Sequence, residues 1–154
     1  MSQSEEVGII RRELAQLGQA AQECADARHL LDTDRNALYA CAFLLQSFYT
    51  GAERVLERSL KLCGTSIPPS PDWHRQLLDI AFQEQPGVRP AILSAVTHTV
   101  LNEYRRFRHV ARTHYGMEMK PDLIKALADK LAPTWNAFHQ EAEAFIAFIE
   151  SPSE

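Results

Sequence analysis

"LYACAFLLQSFYTGAERVLERSLKL", Leu38 to Leu62, decides the fold class. Leu38, Ala42, Leu45, Phe48, Ala52, Val55 and Leu62 recur at steps of three, four or seven, the spacing of one buried face of an α-helix. Tyr39, Cys41 and Phe43 lie off that stripe. The excess predicts apolar surface that a second copy of the chain covers, hence a homodimer. "DTD" at Asp32 to Asp34 signals the N-cap of this helix, which is expected to run to about Cys63.

Outward from it, a first helix is expected from about Ser4 to Leu31, with Ile9, Leu14, Leu17 and Ala21 as its stripe. "GTSIPPSP", Gly64 to Pro71, cannot continue a helix. A short helix then starts at Asp72 and carries Trp73, Leu77, Leu78 and Phe82. "PGVRP", Pro86 to Pro90, is a second breaker, and a fourth helix is expected over about Ala91 to Tyr115. Gly116 stands where a left-handed cap belongs. Pro121 opens the last helix, which continues to about Glu150 on Leu123, Leu127, Leu131, Trp135, Phe138, Ala142, Phe145 and Ile149, with a kink expected at Pro133. No run alternates with the period of a strand. The expected architecture is all-α, a single domain over 1–154 built as an antiparallel bundle of four main helices and a short fifth.

Hydrophobic residues make up 45% and charged residues 23%, a globular composition. The formal net charge of -4 excludes a chain that seeks nucleic acid as a polycation, so a phosphate-binding surface must be local. Three separated cysteines, Cys24, Cys41 and Cys63, fit neither a disulfide framework nor a zinc site and read as buried thiols. The charged N-terminus lacks the apolar core of a signal peptide. No apolar run approaches the ~20 residues of a membrane span. The expectation is a cytoplasmic protein.

Cations gather in "LNEYRRFRHVARTHYG", Leu101 to Gly116. On a helix Tyr104, Arg108, Arg112 and Tyr115 form one stripe, and Phe107, Val110, Ala111 and His114 an adjoining one. Arg108 and His114 stand about 120° apart around an ideal helix. They converge on one groove only if the last turn is irregular or a second subunit brings its own copy alongside. Arginine presents a planar fork of donors to phosphate oxygens, and histidine takes or gives a proton near neutrality. RNA cleavage without a metal requires a base for the 2′-hydroxyl, a cation for the pentacoordinate phosphate and an acid for the leaving oxygen. His114, in the last helical turn, would feel a dipole that favours its protonated form. No carboxylate cluster accompanies the cations, so no metal or other cofactor is expected. The same residues also suit a helix C-terminus that is merely capped.

Arg108-His109-Val110-Ala111-Arg112-Thr113-His114 resembles the Arg-x(4–6)-His signature of HEPN domains, in which a polar residue follows the arginine. "SFYTGAERVLER" (Ser47 to Arg58), "DWHRQLLDIA" (Asp72 to Ala81), "PGVRPAILS" (Pro86 to Ser94) and "RRFRHVARTHYG" (Arg105 to Gly116) occur in this order in HepT-like proteins, and the resemblance covers nearly the whole chain. It implies a HEPN-type bundle that dimerises, a metal-independent endoribonuclease toxin, and a cognate nucleotidyltransferase antitoxin as partner. By it Arg108 and His114 carry over as catalytic, His109 as the polar residue, and Arg112 is a candidate contact to RNA phosphate. In some such pairs the antitoxin transfers AMP to a tyrosine two residues after the histidine. Here Tyr115 follows His114 directly and Gly116 holds the expected position, so Tyr115 is a displaced candidate acceptor.

The alternatives are a non-catalytic module that engages a nucleotidyltransferase, and a scaffold that binds RNA or nucleotide without cutting it. Trp73 and Trp135 read as core or dimer surface. His74 and His139 have no partner at ligand spacing and read as surface or cap histidines. Tyr49 and Glu53, at i and i+4, are able to face the cleft.

Overall fold

The structure, a computed structural model, describes residues 1–113 and 120–152. Among them the chain forms five helices and no strand: α1 (Gln3–Arg28), α2 (Arg35–Lys61), α3 (Trp73–Phe82), α4 (Ala95–Thr113) and α5 (Pro121–Glu150). The all-α bundle of four long helices and a short one is the architecture that the apolar stripes predict.

The helix starts follow from their caps. Ser2 and Glu5 close a reciprocal capping box on α1. The Asp34 carboxylate accepts from the amides of Asn36 and Ala37 at the start of α2. α4 starts at Ala95 and not at Ala91. The amides of Ile92 and Leu93 donate instead to the carbonyl of Ala81, which ties this segment to the end of α3. Ser94 then accepts from the amide of Thr97, and Glu141 of α5 accepts from the Ser94 amide and the Thr97 hydroxyl. α5 runs unbroken through Pro133.

Cross-links fix the directions. α1 is antiparallel to α2, with Glu6 on Arg58 and Cys24 on Cys41. It is antiparallel to α5, with Arg11 on Glu143 and Arg28 on Asp129. α4 is antiparallel to α5: the Tyr104 hydroxyl donates to the carbonyl of Leu127, and Lys130 pairs with Glu103. α2 packs against all four other helices, so one stripe cannot describe its core face. Cys41, expected among the surplus residues, is fully buried in the core. Tyr39 and Phe43 do remain exposed, Phe43 at 67%. Leu123, expected in the α5 stripe, is 46% exposed.

The sulfurs of Cys24 and Cys41 lie 3.6 Å apart. Burial, then the neighbouring thiol, pushes the Cys24 thiol up to about 12. Both thiols therefore stay protonated and unreactive at ordinary pH. Alkylation at pH 8 followed by mass mapping is expected to modify Cys63, which is only partly buried, well before Cys24 or Cys41. Early modification of Cys24 would contradict this packing.

Phe48 joins three helices, meeting the rings of Tyr104 (6.1 Å) and Trp135 (6.5 Å) edge-on. With no exposed surface, Phe48→Ala is expected to cost about 3–5 kcal/mol, read as a lower denaturation midpoint.

Candidate active site

The candidate site is built where α4 crosses the middle of α2. Tyr49 and Glu53 are one turn apart on α2, and both are buried, Glu53 at 5% exposure. A carboxylate so enclosed is costly unless it is paired and hydrogen-bonded. The Tyr49 hydroxyl donates to Glu53 Oε2 at 2.6 Å. His74 Nδ1, from α3, lies 2.6 Å from the same oxygen. The His74 ring is stacked on Trp73 at 3.8 Å and remains one-third exposed. His74 is thus not an isolated surface histidine. It closes a three-residue hydrogen-bonded chain across two helices.

The Arg108 guanidinium lies over the ring of Tyr49, 6.0 Å from its centroid. Such contacts contribute ~0.5–1 kcal/mol at accessible sites. Burial, then the Glu53 charge and its hydrogen bond, drive the Tyr49 hydroxyl far above its ordinary value, against a smaller opposing pull from Arg105 and Arg108. Tyr49 is therefore a permanent donor. Arg105 is held by its own neighbour, its Nε donating to Asn102 Oδ1 at 3.0 Å. Asn102 in turn touches His98, which pairs with Asp79 at 2.9 Å.

Arg108 and Arg112 line a groove of ≈ 390 Å³ with Phe43, Gln46, Ser47, Thr50 and Arg54 of α2. Arg108 is half-buried and Arg112 exposed. Among the described residues, no carboxylate forms an ion pair with either. On another side of α4, Phe107, Val110, Leu123, Ile124 and Leu127 line a mostly apolar groove of ≈ 400 Å³. It holds neither Arg108 nor Arg112.

Of the expected site residues, Arg108 and Arg112 share the groove. His109 is exposed on the neighbouring side of α4. His114, Tyr115 and the Gly116 cap lie outside the described residues. The sequence reading missed His74. Its partner Glu53 is 21 positions away, and no local spacing links them. Among the described residues, no helix is long and apolar enough to cross a membrane.

A family model described as HepT-like protein matches residues 40–149. The chain belongs to the HepT-like family of the HEPN superfamily. The match begins within α2 and ends in α5, so it takes in every element of the site. No curated protein and no solved structure matches the chain.

The Tyr49 hydroxyl is a donor, not a titrating group, so Tyr49→Phe isolates its bond to Glu53. Losing that bond leaves a buried carboxylate one donor short. The expected cost is about 1–3 kcal/mol, measured by urea denaturation; an unchanged midpoint would remove the bond from the stability of the site.

Proposed function

We propose that this HepT-like chain is the ribonuclease toxin of a toxin–antitoxin pair. It cuts RNA without a metal at an Arg-x5-His site and is restrained by a cognate nucleotidyltransferase. The observation that carries the reading is the α2–α4 groove. Two arginines line it without carboxylate partners among the described residues, in a chain whose net charge is -4. Unneutralised guanidinium groups in a groove with hydroxyl and amide side chains suit a phosphodiester. Arg108 is the cation for the pentacoordinate phosphate, His114 a proton carrier, and Arg112 a contact to a neighbouring phosphate. His109 is the polar residue beside the arginine. A single domain carries all of these groups, and the protein acts in the cytoplasm.

Purified protein in EDTA is expected to cleave RNA. Arg108→Ala and His114→Ala are each expected to lose ~10²–10⁴-fold in rate while remaining folded. Wild-type rates in both would overturn the assignment. Binding of RNA or nucleotidyltransferase with no cleavage would favour a scaffold or a binding module.

Assembly is part of the reading. Tyr39 and Phe43 leave a ring-bearing patch on α2, and Phe43 also borders the groove. A second copy seated there would bring its own Arg108 and His114 to the same cleft. Phe43→Glu is expected to shift the sedimentation coefficient from dimer to monomer at micromolar concentration and to abolish cleavage. A monomeric, active wild type would remove the dimer from the mechanism.

For the antitoxin, Tyr115 is the proposed AMP acceptor, since a phosphate beside His114 would compete for the arginines that hold RNA. Co-expression with the nucleotidyltransferase is expected to add an AMP-sized mass to the wild type and none to Tyr115→Phe. An equal gain in both would move the acceptor to another residue, and no gain in the wild type would leave complex formation as the mode of restraint.

A further inference from the structure

Metal-free RNA cleavage needs a base and an acid; the Arg-x5-His run carries one histidine per chain, and a chemically different imidazole stands outside it. The structure links a second imidazole, from a different helix, to the tyrosine that lies beneath Arg108. His74 meets Glu53 through Nδ1, Glu53 accepts from Tyr49, and the Tyr49 ring lies beneath Arg108. We propose that His74 is the general base of this site and that the buried carboxylate of Glu53 is its positioning residue. The assignment rests on the ribonuclease reading and deepens it.

The geometry sets the tautomer. Glu53 Oε2 already accepts a proton from Tyr49 and is 5% exposed. The neutral His74 ring satisfies it as a second donor by carrying its hydrogen on Nδ1. Nε2 then bears the lone pair, and no described residue hydrogen-bonds to it. Stacking on Trp73 holds the ring plane, while one-third exposure leaves the ring open to a ligand. A histidine oriented by a buried carboxylate through one nitrogen and open at the other is arranged to take a proton. The carboxylate also stabilises the imidazolium that forms.

His74 Nε2 takes the proton of a ribose 2′-hydroxyl. The freed oxygen forms a bond to the adjacent phosphorus, and the bond from phosphorus to the 5′-oxygen breaks. That oxygen takes a proton from the acid, the role left to His114. The products are a 2′,3′-cyclic phosphate and a 5′-hydroxyl, and the proton on His74 returns to water. Arg108 offsets the charge on the pentacoordinate phosphate.

Charged and titratable groups from each packed element bear on His74. They are Glu53 and Tyr49 of α2, Arg105 and Arg108 of α4, and Asp72 and Arg75 at its own end of α3. A general base acts only when neutral, so the rate is expected to rise with pH as His74 loses its proton.

The test is the pH–rate profile of RNA cleavage in EDTA for the wild type, His74→Asn, Glu53→Gln, His114→Ala and a control, His139→Asn on the exposed part of α5. His74→Asn is expected to lose ~10²–10⁴-fold in kcat, keep its KM, and lose the acid limb of the profile. Glu53→Gln keeps an oxygen acceptor but removes the charge, so its acid limb is expected to move to lower pH. A purely structural role would leave both limbs in place. The control is expected to match the wild type. If the wild type cuts RNA and His114→Ala does not, yet His74→Asn retains rate and acid limb, His74 is not the base. An unmoved limb in folded Glu53→Gln would overturn the Glu53 role. If the wild type itself leaves RNA intact, the ribonuclease reading falls and takes this assignment with it.

Discussion

The middle of α2 is buried on every face but the one that carries Phe43, Ser47, Thr50 and Arg54, and that enclosure constrains the rest of the molecule. Phe48, Tyr49, Ala52, Val55 and Leu56 have no exposed surface, and each of the other helices packs against α2. A polar atom placed there has no water to turn to, so protein groups must satisfy it. Glu53 is such a group. Its carboxylate recruits the Tyr49 hydroxyl from its own helix and the His74 ring from α3. Packing of the core and assembly of the candidate site are therefore one event: the contact that makes a buried charge tolerable also fixes an imidazole beside α4.

The same economy explains how an acidic protein keeps a cationic groove. The nearby carboxylates are engaged elsewhere: Glu103 with Lys130, Asp72 with Arg75, and Asp79 with His98. Arg108 rests on the face of an aromatic ring, which attracts a cation without neutralising it. Its full charge and its donors stay available to an anion. A carboxylate in the place of Tyr49 would hold Arg108 more tightly and would compete with phosphate for it. The Tyr49 ring gives position without that competition.

The helices were legible in the sequence because burial repeats at helical spacing. Leu38, Ala42, Leu45, Phe48, Ala52 and Val55 all lie in the core. What failed were the features that depend on tertiary contacts. The start of α4 is delayed by amides that bond to Ala81, a partner that no local pattern names. Cys41 read as surplus because a stripe describes one neighbour, whereas α2 has several. In the site, Arg108 and Arg112 were readable as one face of one helix. Tyr49 and Glu53 were readable as a pair at i and i+4. His74 was not, since its partnership exists only once α3 folds back on α2. The signal that was present is a glutamate flanked by the apolar stripe residues Ala52 and Val55, which demands donors from somewhere.

α3 has its two ends held by buried ions of opposite sign. At its N-terminal turn, His74 reaches the Glu53 carboxylate. At its C-terminal end, the Arg89 guanidinium, 6% exposed, donates to the carbonyls of Ile80, Gln83 and Pro90. A helix presents partial positive charge at its start and partial negative charge at its end. Anion at the start and cation at the end is the favourable arrangement, here realised by residues outside the helix itself. Among the described residues neither ion has an arginine or carboxylate as its mate: Glu53 accepts from the Tyr49 hydroxyl and meets the His74 ring, and Arg89 donates to three carbonyls through its terminal nitrogens while its Nε has no partner. A short helix of ten residues is marginal alone. These two anchors add to the complete burial of Leu77, Leu78 and Ala81 in fixing its place, and its place is what puts His74 within reach of Glu53. The short helix is thus not a mere connector between α2 and α4, but the element that brings the His74 ring to the buried carboxylate of α2.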